Sequence, residues 1–183
     1  MVIQSIYIMK KILLSLALFI CLTSFAQETT NQFSLNFLIP SAEYEVSVSE
    51  NSTVDTMLGM GFSYHDASYL NKPEYGIYPQ FEAQYRYYYN FRKRVEKGKK
   101  TSENSGNYIA VVGVFASGEP IIGDMQLNTD YSGFVGPAWG LQRIYNSNFK
   151  LNLNLGLGMG FNDRDGAYLA PRIAIQLGFK LGK

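Results

Sequence analysis

The chain has 183 residues, a length typical of one domain, and its net charge of +1 gives no sign that it binds nucleic acid. Aromatic residues make up 15% of the chain and charged residues only 17%, which is below the roughly 25% usual in soluble domains. This composition is typical of a β-rich protein that exposes much apolar surface.

The first predicted element is a cleavable signal peptide at residues 1–26, ahead of one domain at residues 27–183. Two lysines precede an apolar run that is too short for a membrane helix, and small residues lead up to a cleavage site after Ala26. Translation could begin at Met1 or at Met9. The sequence therefore predicts an exported protein.

The single cysteine, Cys21, limits the chemistry of the exported chain. A lipoprotein signal that ends at Cys21 is the alternative to cleavage after Ala26, but Ile20 is bulky where such a site needs a small residue. Cleavage after Ala26 leaves no disulfide, no thiolate metal site and no thiol nucleophile. The remaining sequence has no phosphate-binding glycine loop, no metal-ligand spacing and no catalytic triad order, so we expect no enzyme activity, no cofactor and no metal.

Along the rest of the chain, apolar and polar residues alternate in eight segments, and this period of two residues predicts β-strands. The clearest segment is "FKLNLNLGLGMGFN", in which every second residue from Phe149 is apolar. The segment at 107–117 is apolar on both sides, so its faces are not assigned. The predicted strands are residues 33–39, 42–49, 53–65, 77–91, 107–117, 131–142, 149–162 and 169–181.

The connections between the predicted strands alternate between short and longer ones. The link after the fourth strand is an exception, because it is long and holds six basic residues between Arg92 and Lys100. This stretch could form a helical turn, and it could bind anionic lipid or a periplasmic partner. The simpler interpretation is a solvated turn whose basic side chains lie at a membrane edge.

Alternation alone fits two kinds of barrel. A soluble lipocalin-like carrier would point the apolar rows inward, whereas a transmembrane barrel would point them toward lipid. Lipid outside is favoured by aromatic residues at both ends of the apolar rows and by glycines on the polar rows, where a crowded lumen needs small residues. Export and alternating connection lengths favour it too. The sequence therefore predicts an all-β fold, an eight-stranded antiparallel up-and-down transmembrane β-barrel.

The polar rows contain a balanced set of charges, and these are the candidate site residues. We expect them to form a salt-bridged plug in the lumen, because buried charges must be paired. A proton or ion path, and hence a narrow pore, is the alternative. The set has four acidic and four basic residues: Glu43, Glu45, Asp55, Glu82, Arg86, Lys150, Arg172 and Lys180.

The signal peptide and the alternation together resemble the small OmpA/OmpX-type outer-membrane β-barrel superfamily of Gram-negative bacteria, over roughly residues 32–183. The resemblance implies a monomer in the outer membrane with a structural or interaction role and no catalysis. It implies outer-membrane lipid, lipopolysaccharide and the barrel-insertion machinery as partners. One departure is the last strand, because many such barrels end in an aromatic residue and Phe179 lies four residues before Lys183.

Two further motifs offer other functions. His65 is the only histidine, with Ser63 close by. Outer-membrane lipid A deacylases are eight-stranded barrels that use a Ser–His pair, so a lipid-modifying enzyme is an alternative function. The sequence lacks their His-x-Ser-Asn motif, and a rim histidine without a catalytic role is the simpler interpretation. The "DRD" motif at 163–165 could bind a divalent cation that bridges lipopolysaccharide, but an ordinary polar loop is the simpler interpretation.

Overall fold

The computed structural model describes residues 29–65, 73–125 and 127–182, and 68% of them lie in β-strands. The predicted signal peptide lies outside the described residues. The strands are β1 (Gln32–Asn36), β2 (Ser41–Ser49), β3 (Ser52–His65), β4 (Glu74–Tyr87), β5 (Asn107–Ser117), β6 (Ile122–Gly123), β7 (Tyr131–Ile144), β8 (Phe149–Asn162) and β9 (Gly166–Leu181), and the helix is α1 (Phe91–Glu96).

The nine strands form one antiparallel sheet that closes on itself. Eight of them make a ring in the order β1, β2, β3, β4, β5, β7, β8, β9, and β9 pairs back with β1. The ninth, β6, adds two residues beside the start of β4. This confirms the prediction of an all-β antiparallel fold with eight main strands in chain order.

The two ends of the ring differ. At the end where β4 finishes and β5 begins, α1 and the rest of the link at 97–106 pack against the ring; we call this the closed end. Tyr88 stacks on Phe91 with ring centroids 4.8 Å apart, and Tyr108 lies edge-on to Tyr88 at 5.4 Å. Asn104 of the link exchanges two 2.8 Å hydrogen bonds with the backbone of Thr30. The opposite end, where β3 finishes and β9 begins, is the open end.

Two predicted strands end too late and one short strand was not predicted, each for a local reason. The first strand ends at Asn36, because the chain turns at 37–40 ahead of β2. Phe91 was predicted on an outward strand row, but it begins α1 and is 1% exposed, because it folds back onto Tyr88. The two-residue strand β6 was not predicted, since two residues are too few to show alternation. By contrast, β5 and β8 have the predicted bounds.

Charged and polar side chains and an apolar, largely aromatic cluster lie inside the ring, whereas apolar side chains cover its outside. Arg86 and Lys150 point inward and are completely buried, whereas Leu58 and Ile173 point outward and are 67% and 76% exposed. Because burial alternates along β5, its faces can now be assigned, with Val112 inside and its neighbours outside. The distribution is the inverse of that in a water-soluble domain, where apolar side chains occupy the core.

The glycines on the polar rows make room for large inward side chains. A Cβ atom added to Gly140 would lie 2.3 Å from Cζ of Tyr108, and one added to Gly136 would lie 2.6 Å from Cα of Gly158. Contacts this short do not occur between real atoms. An interior enclosed by eight strands is only just wide enough for side chains, so large residues on one wall need small residues opposite them.

Candidate functional site

Arg86 is the centre of the charge network inside the closed half of the ring. It lies on β4, where alternation turns it inward between Gln84 and Tyr88. Its Nη2 lies 2.8 Å from Oδ2 of Asp55, and its Nη1 lies 3.5 Å from Glu43 and 3.7 Å from Glu45. One guanidinium group thus faces three carboxylates supplied by β2 and β3.

Neutral side chains complete the surroundings of Arg86. Its Nε donates a 3.0 Å hydrogen bond to Gln84, and its Nη1 donates a 3.2 Å hydrogen bond to Gln142 of β7. Its guanidinium carbon lies 4.9 Å from the centroid of the Tyr108 ring. A buried charge is tolerated only when it is paired and hydrogen-bonded, and these contacts meet that requirement.

The carboxylates of this network have further partners across the ring. Lys150 of β8 forms an ion pair with Glu43 on β2. Glu45 accepts hydrogen bonds from the hydroxyl of Thr53 at 2.6 Å, the hydroxyl of Tyr88 at 2.7 Å and the amide of Gln142 at 2.9 Å. The network therefore joins five strands, β2, β3, β4, β7 and β8, which are not all neighbours, and it fixes their relative positions.

A second ion pair lies closer to the open end. Nη2 of Arg172 on β9 is 2.7 Å from Glu82 on β4, and Nε of Arg172 donates a 3.1 Å hydrogen bond to Asn154. The guanidinium carbon lies 5.9 Å from the centroid of the Phe134 ring. The Arg172 side chain keeps 11% of its surface exposed, whereas Glu82 keeps 1%.

Lys180 does not join the other predicted charges. Its Nζ lies 2.7 Å from Glu103, a residue of the link that sequence reasoning did not select. Lys100 also contacts Glu103, at 2.5 Å. The difference arises because Lys180 lies near the closed end of β9, where the link packs beneath the ring. The seven other predicted residues form the two groups described above.

Several uncharged members of the site were missed by sequence reasoning. Tyr88 and Tyr108 are completely or almost completely buried and contact the network. Tyr88 follows Arg86 at a spacing of two residues, so the alternation of β4 could have placed it on the inward side. Gln142 lies on a polar row, but nothing in the sequence indicates that it contacts Arg86 and Glu45.

The Glu103 contacts give stability that depends on pH. Partial burial raises the pKa of the Glu103 carboxyl, whereas hydrogen bonds from Lys100 and Lys180 lower it. The lowering outweighs the effect of burial, so the pKa of Glu103 is below its usual value. Because the folded-state pKa is the lower one, this stabilisation is present above the unfolded-state pKa and is lost as pH falls through the folded-state pKa.

We therefore expect Glu103→Gln to lower the free energy of unfolding by up to about 1 kcal/mol at pH 7. The difference from the unmodified protein should disappear in acid, which urea unfolding at pH 7 and at pH 3 would measure. Glu96→Gln is the matched control, because the one ion-pair partner of Glu96 among the described residues is the exposed Arg92 on α1. Equal effects of the two substitutions at pH 7 would contradict a specific role for Glu103.

The other sequence motifs have simpler surroundings. His65 ends β3 and its backbone pairs with Glu74, but its side chain is outside what the structure describes. Asp163 of the "DRD" motif accepts hydrogen bonds from the backbone N–H groups of Asp130 at 3.0 Å and Tyr131 at 3.4 Å, so it holds two loops together. Among the described residues, no cluster of three or more His, Cys, Asp or Glu side chains could hold a metal ion.

A cavity of about 340 Å³ occupies the open half of the ring. Gln80, Glu82, Arg172 and Gln176 contribute polar surface to it, and apolar residues of β3 and β9 line its side. The Arg172–Glu82 pair separates this cavity from the buried network around Arg86. The interior is therefore filled in its closed half and hollow in its open half.

Comparisons with protein-family models, with curated proteins and with solved structures find no match to this chain. Among the residues that the structure describes, none of the helices is long and apolar enough to cross a membrane.

Proposed function

We propose that this chain is an integral outer-membrane β-barrel protein with a structural or interaction role and without catalysis. The observation that carries the proposal is the polarity of the ring, which is charged inside and apolar outside. In water the exposed apolar surface would be costly, whereas against acyl chains it is favourable. A closed ring also pairs most backbone N–H and C=O groups, as hydrocarbon requires.

The outer surface also has aromatic side chains near both ends, as is expected where a barrel crosses the two membrane interfaces. Near the closed end, the ring centroid of Phe149 lies 5.9 Å from that of Tyr145 and 5.8 Å from that of Phe179. Near the open end, Phe115 stacks on Tyr131 at 5.6 Å. Aliphatic side chains such as Leu155 lie between these aromatic groups on the outer face.

The polarity disfavours the two non-catalytic alternatives. A lipocalin-like carrier needs an apolar interior, but Glu43, Asp55 and Arg86 are buried inside this ring. An open pore needs a continuous passage, but the Arg86 network and the aromatic cluster of Tyr88, Phe91 and Tyr108 fill the closed half. We propose outer-membrane lipid, lipopolysaccharide and the barrel-insertion machinery as partners of a monomer.

Membrane fractionation with heat-modifiable gel mobility tests this proposal. We expect the protein in the outer-membrane fraction, released by detergent and not by salt or carbonate. Folded barrels resist dodecyl sulfate at room temperature, so unheated protein should migrate differently from boiled protein. Recovery in the soluble periplasmic fraction without detergent, with the same mobility before and after boiling, would support a carrier instead.

A further inference from the structure

The wall of the ring has a notch on one side of its open half. The β1–β2 hairpin is short: Asn36 is the last residue of β1 paired with β9, at Gly178, and Ser41 is the first residue of β2 paired with β3, at Gly59. Beyond the hairpin, β9 continues toward Gly166 and β3 continues to His65. Among the described residues, no strand pairs with these two facing edges.

The 340 Å³ cavity opens to the outside of the ring through this notch. Its lining includes Phe62 and Ile39 on one lip and Ile173 and Ile175 on the other, and all four side chains are exposed on the outer face. The inner part of the same lining is polar. One space thus joins an apolar opening in the outer wall to a polar floor inside the ring.

Arg172 is the cation on this polar floor, and the described contacts use only part of its N–H donors. Its Nε binds Asn154 and its Nη2 binds Glu82, and the described contacts include none for the two N–H groups of its Nη1. A guanidinium recognises a carboxylate through adjacent N–H groups. Glu82 already balances the charge of Arg172, so a headgroup with several negative charges would leave more uncompensated charge in the cavity than a ligand with one.

The dimensions favour one acyl chain. A volume of about 340 Å³ is near the lower limit of small-molecule sites, which is about 300 Å³.

The unpaired backbone groups along the notch would be costly against pure hydrocarbon, so we expect water or polar ligand atoms beside them. A strand from another chain would pair these edges, but it would supply no partner for the Nη1 donors of Arg172.

We propose that the notch is a lateral binding site for a single-chain fatty acid, whose carboxylate binds Arg172 and whose acyl chain leaves the ring between Phe62 and Ile173. This inference rests on the proposed function, because the chain would extend from the notch into lipid. The ligand class is a long-chain monocarboxylate.

Fluorescence quenching with brominated stearate tests this site on the detergent-solubilised full chain. The reporter is Phe62→Trp combined with Trp139→Phe, which leaves one tryptophan at the lip. We expect saturable quenching by brominated stearate and at least tenfold weaker binding of the brominated alcohol of equal length. The unmodified protein gives the background quenching on the outer wall, because Trp139 lies on the outer face of β7, two strands away from the lip residue Ile173.

Two pairs of variants, made in the reporter background, show whether the named residues matter. Arg172→Gln with Glu82→Gln leaves the net charge of the interior unchanged and should weaken stearate binding at least tenfold without changing alcohol binding. Ala174→Phe should fill the cavity and abolish saturable quenching. Ala83→Phe, on the outer face of β4, should leave it unchanged. Heat-modifiable mobility of each variant shows that it is folded.

The outcomes separate this inference from the proposed function. Equal, unsaturable quenching by stearate and the alcohol in a protein that still behaves as a membrane barrel would overturn only the fatty-acid site. Dimers cross-linked through the notch edges would also overturn it, in favour of strand pairing with a second copy. A protein that is soluble without detergent would contradict the proposed function itself.

Discussion

Replacing Arg86 with methionine should lower the free energy of unfolding by about 3–5 kcal/mol. The substitution keeps much of the volume but leaves Asp55, Glu43 and Glu45 without the guanidinium that faces all three. Lys150 still pairs with Glu43, but Asp55 has no other ion pair among the described residues. An uncompensated buried carboxylate is the reason for the large effect. Urea unfolding in detergent, followed by Trp139 fluorescence, would measure it.

Two further variants control this prediction. Arg92→Met removes an arginine whose side chain is 95% exposed and whose ion-pair partner in the described part of the chain is Glu96, so its effect should stay within about 0.5 kcal/mol. Adding Asp55→Asn to Arg86→Met removes one of the unpaired carboxylates and should restore part of the lost stability. The network would not be needed for stability if Arg86→Met and Arg92→Met had the same effect.

Replacing Leu155 with arginine should lower the free energy of unfolding in vesicles by about 2–4 kcal/mol, the cost of an arginine at the bilayer midplane. Leu155 lies halfway along β8, faces outward and pairs with Trp139 and Ile173 on the neighbouring strands. In a soluble ring, the same substitution would place a charge in water at little cost. The size of the effect therefore reports what surrounds the middle of the outer wall.

Ser147→Arg is the matched control for this second prediction. Ser147 is exposed in the turn between β7 and β8, so an arginine there should change stability by no more than about 0.5 kcal/mol. Both variants are measured by urea unfolding in the same vesicles. If Leu155→Arg were as mild as Ser147→Arg, the outer wall would not lie in hydrocarbon.

The strands could be predicted because alternation is a local property. Apolar residues alternate with polar or small ones along the whole of β8, and this alternation predicted both the bounds of the strand and its two faces. The short β1 could not be predicted in the same way. Phe37 and Ile39 continue the alternation, but the chain turns there, and only the neighbouring strands show where pairing stops. The notch that follows from this turn was therefore not visible in the sequence.

The site was predictable as a set of residues and not as a set of contacts. Alternation places Glu43 on β2 and Lys150 on β8 on polar rows, but their ion pair spans the interior of the closed ring. Such pairs depend on strand register and on ring diameter, which alternation does not encode. Lys180 illustrates the limit, because its partner Glu103 is set by the folding of the link and not by any strand.

The orientation of the two rows relative to lipid is the central claim, and labelling from the bilayer tests it most directly. A photoactivated carbene probe dissolved in the acyl region of vesicles would react with the side chains it meets, and mass spectrometry would locate the labels on β8. We predict labels on Leu153, Leu155 and Leu157 and none on Asn152 and Asn154. Labels on Asn152 and Asn154, with the three leucines spared, would contradict the account.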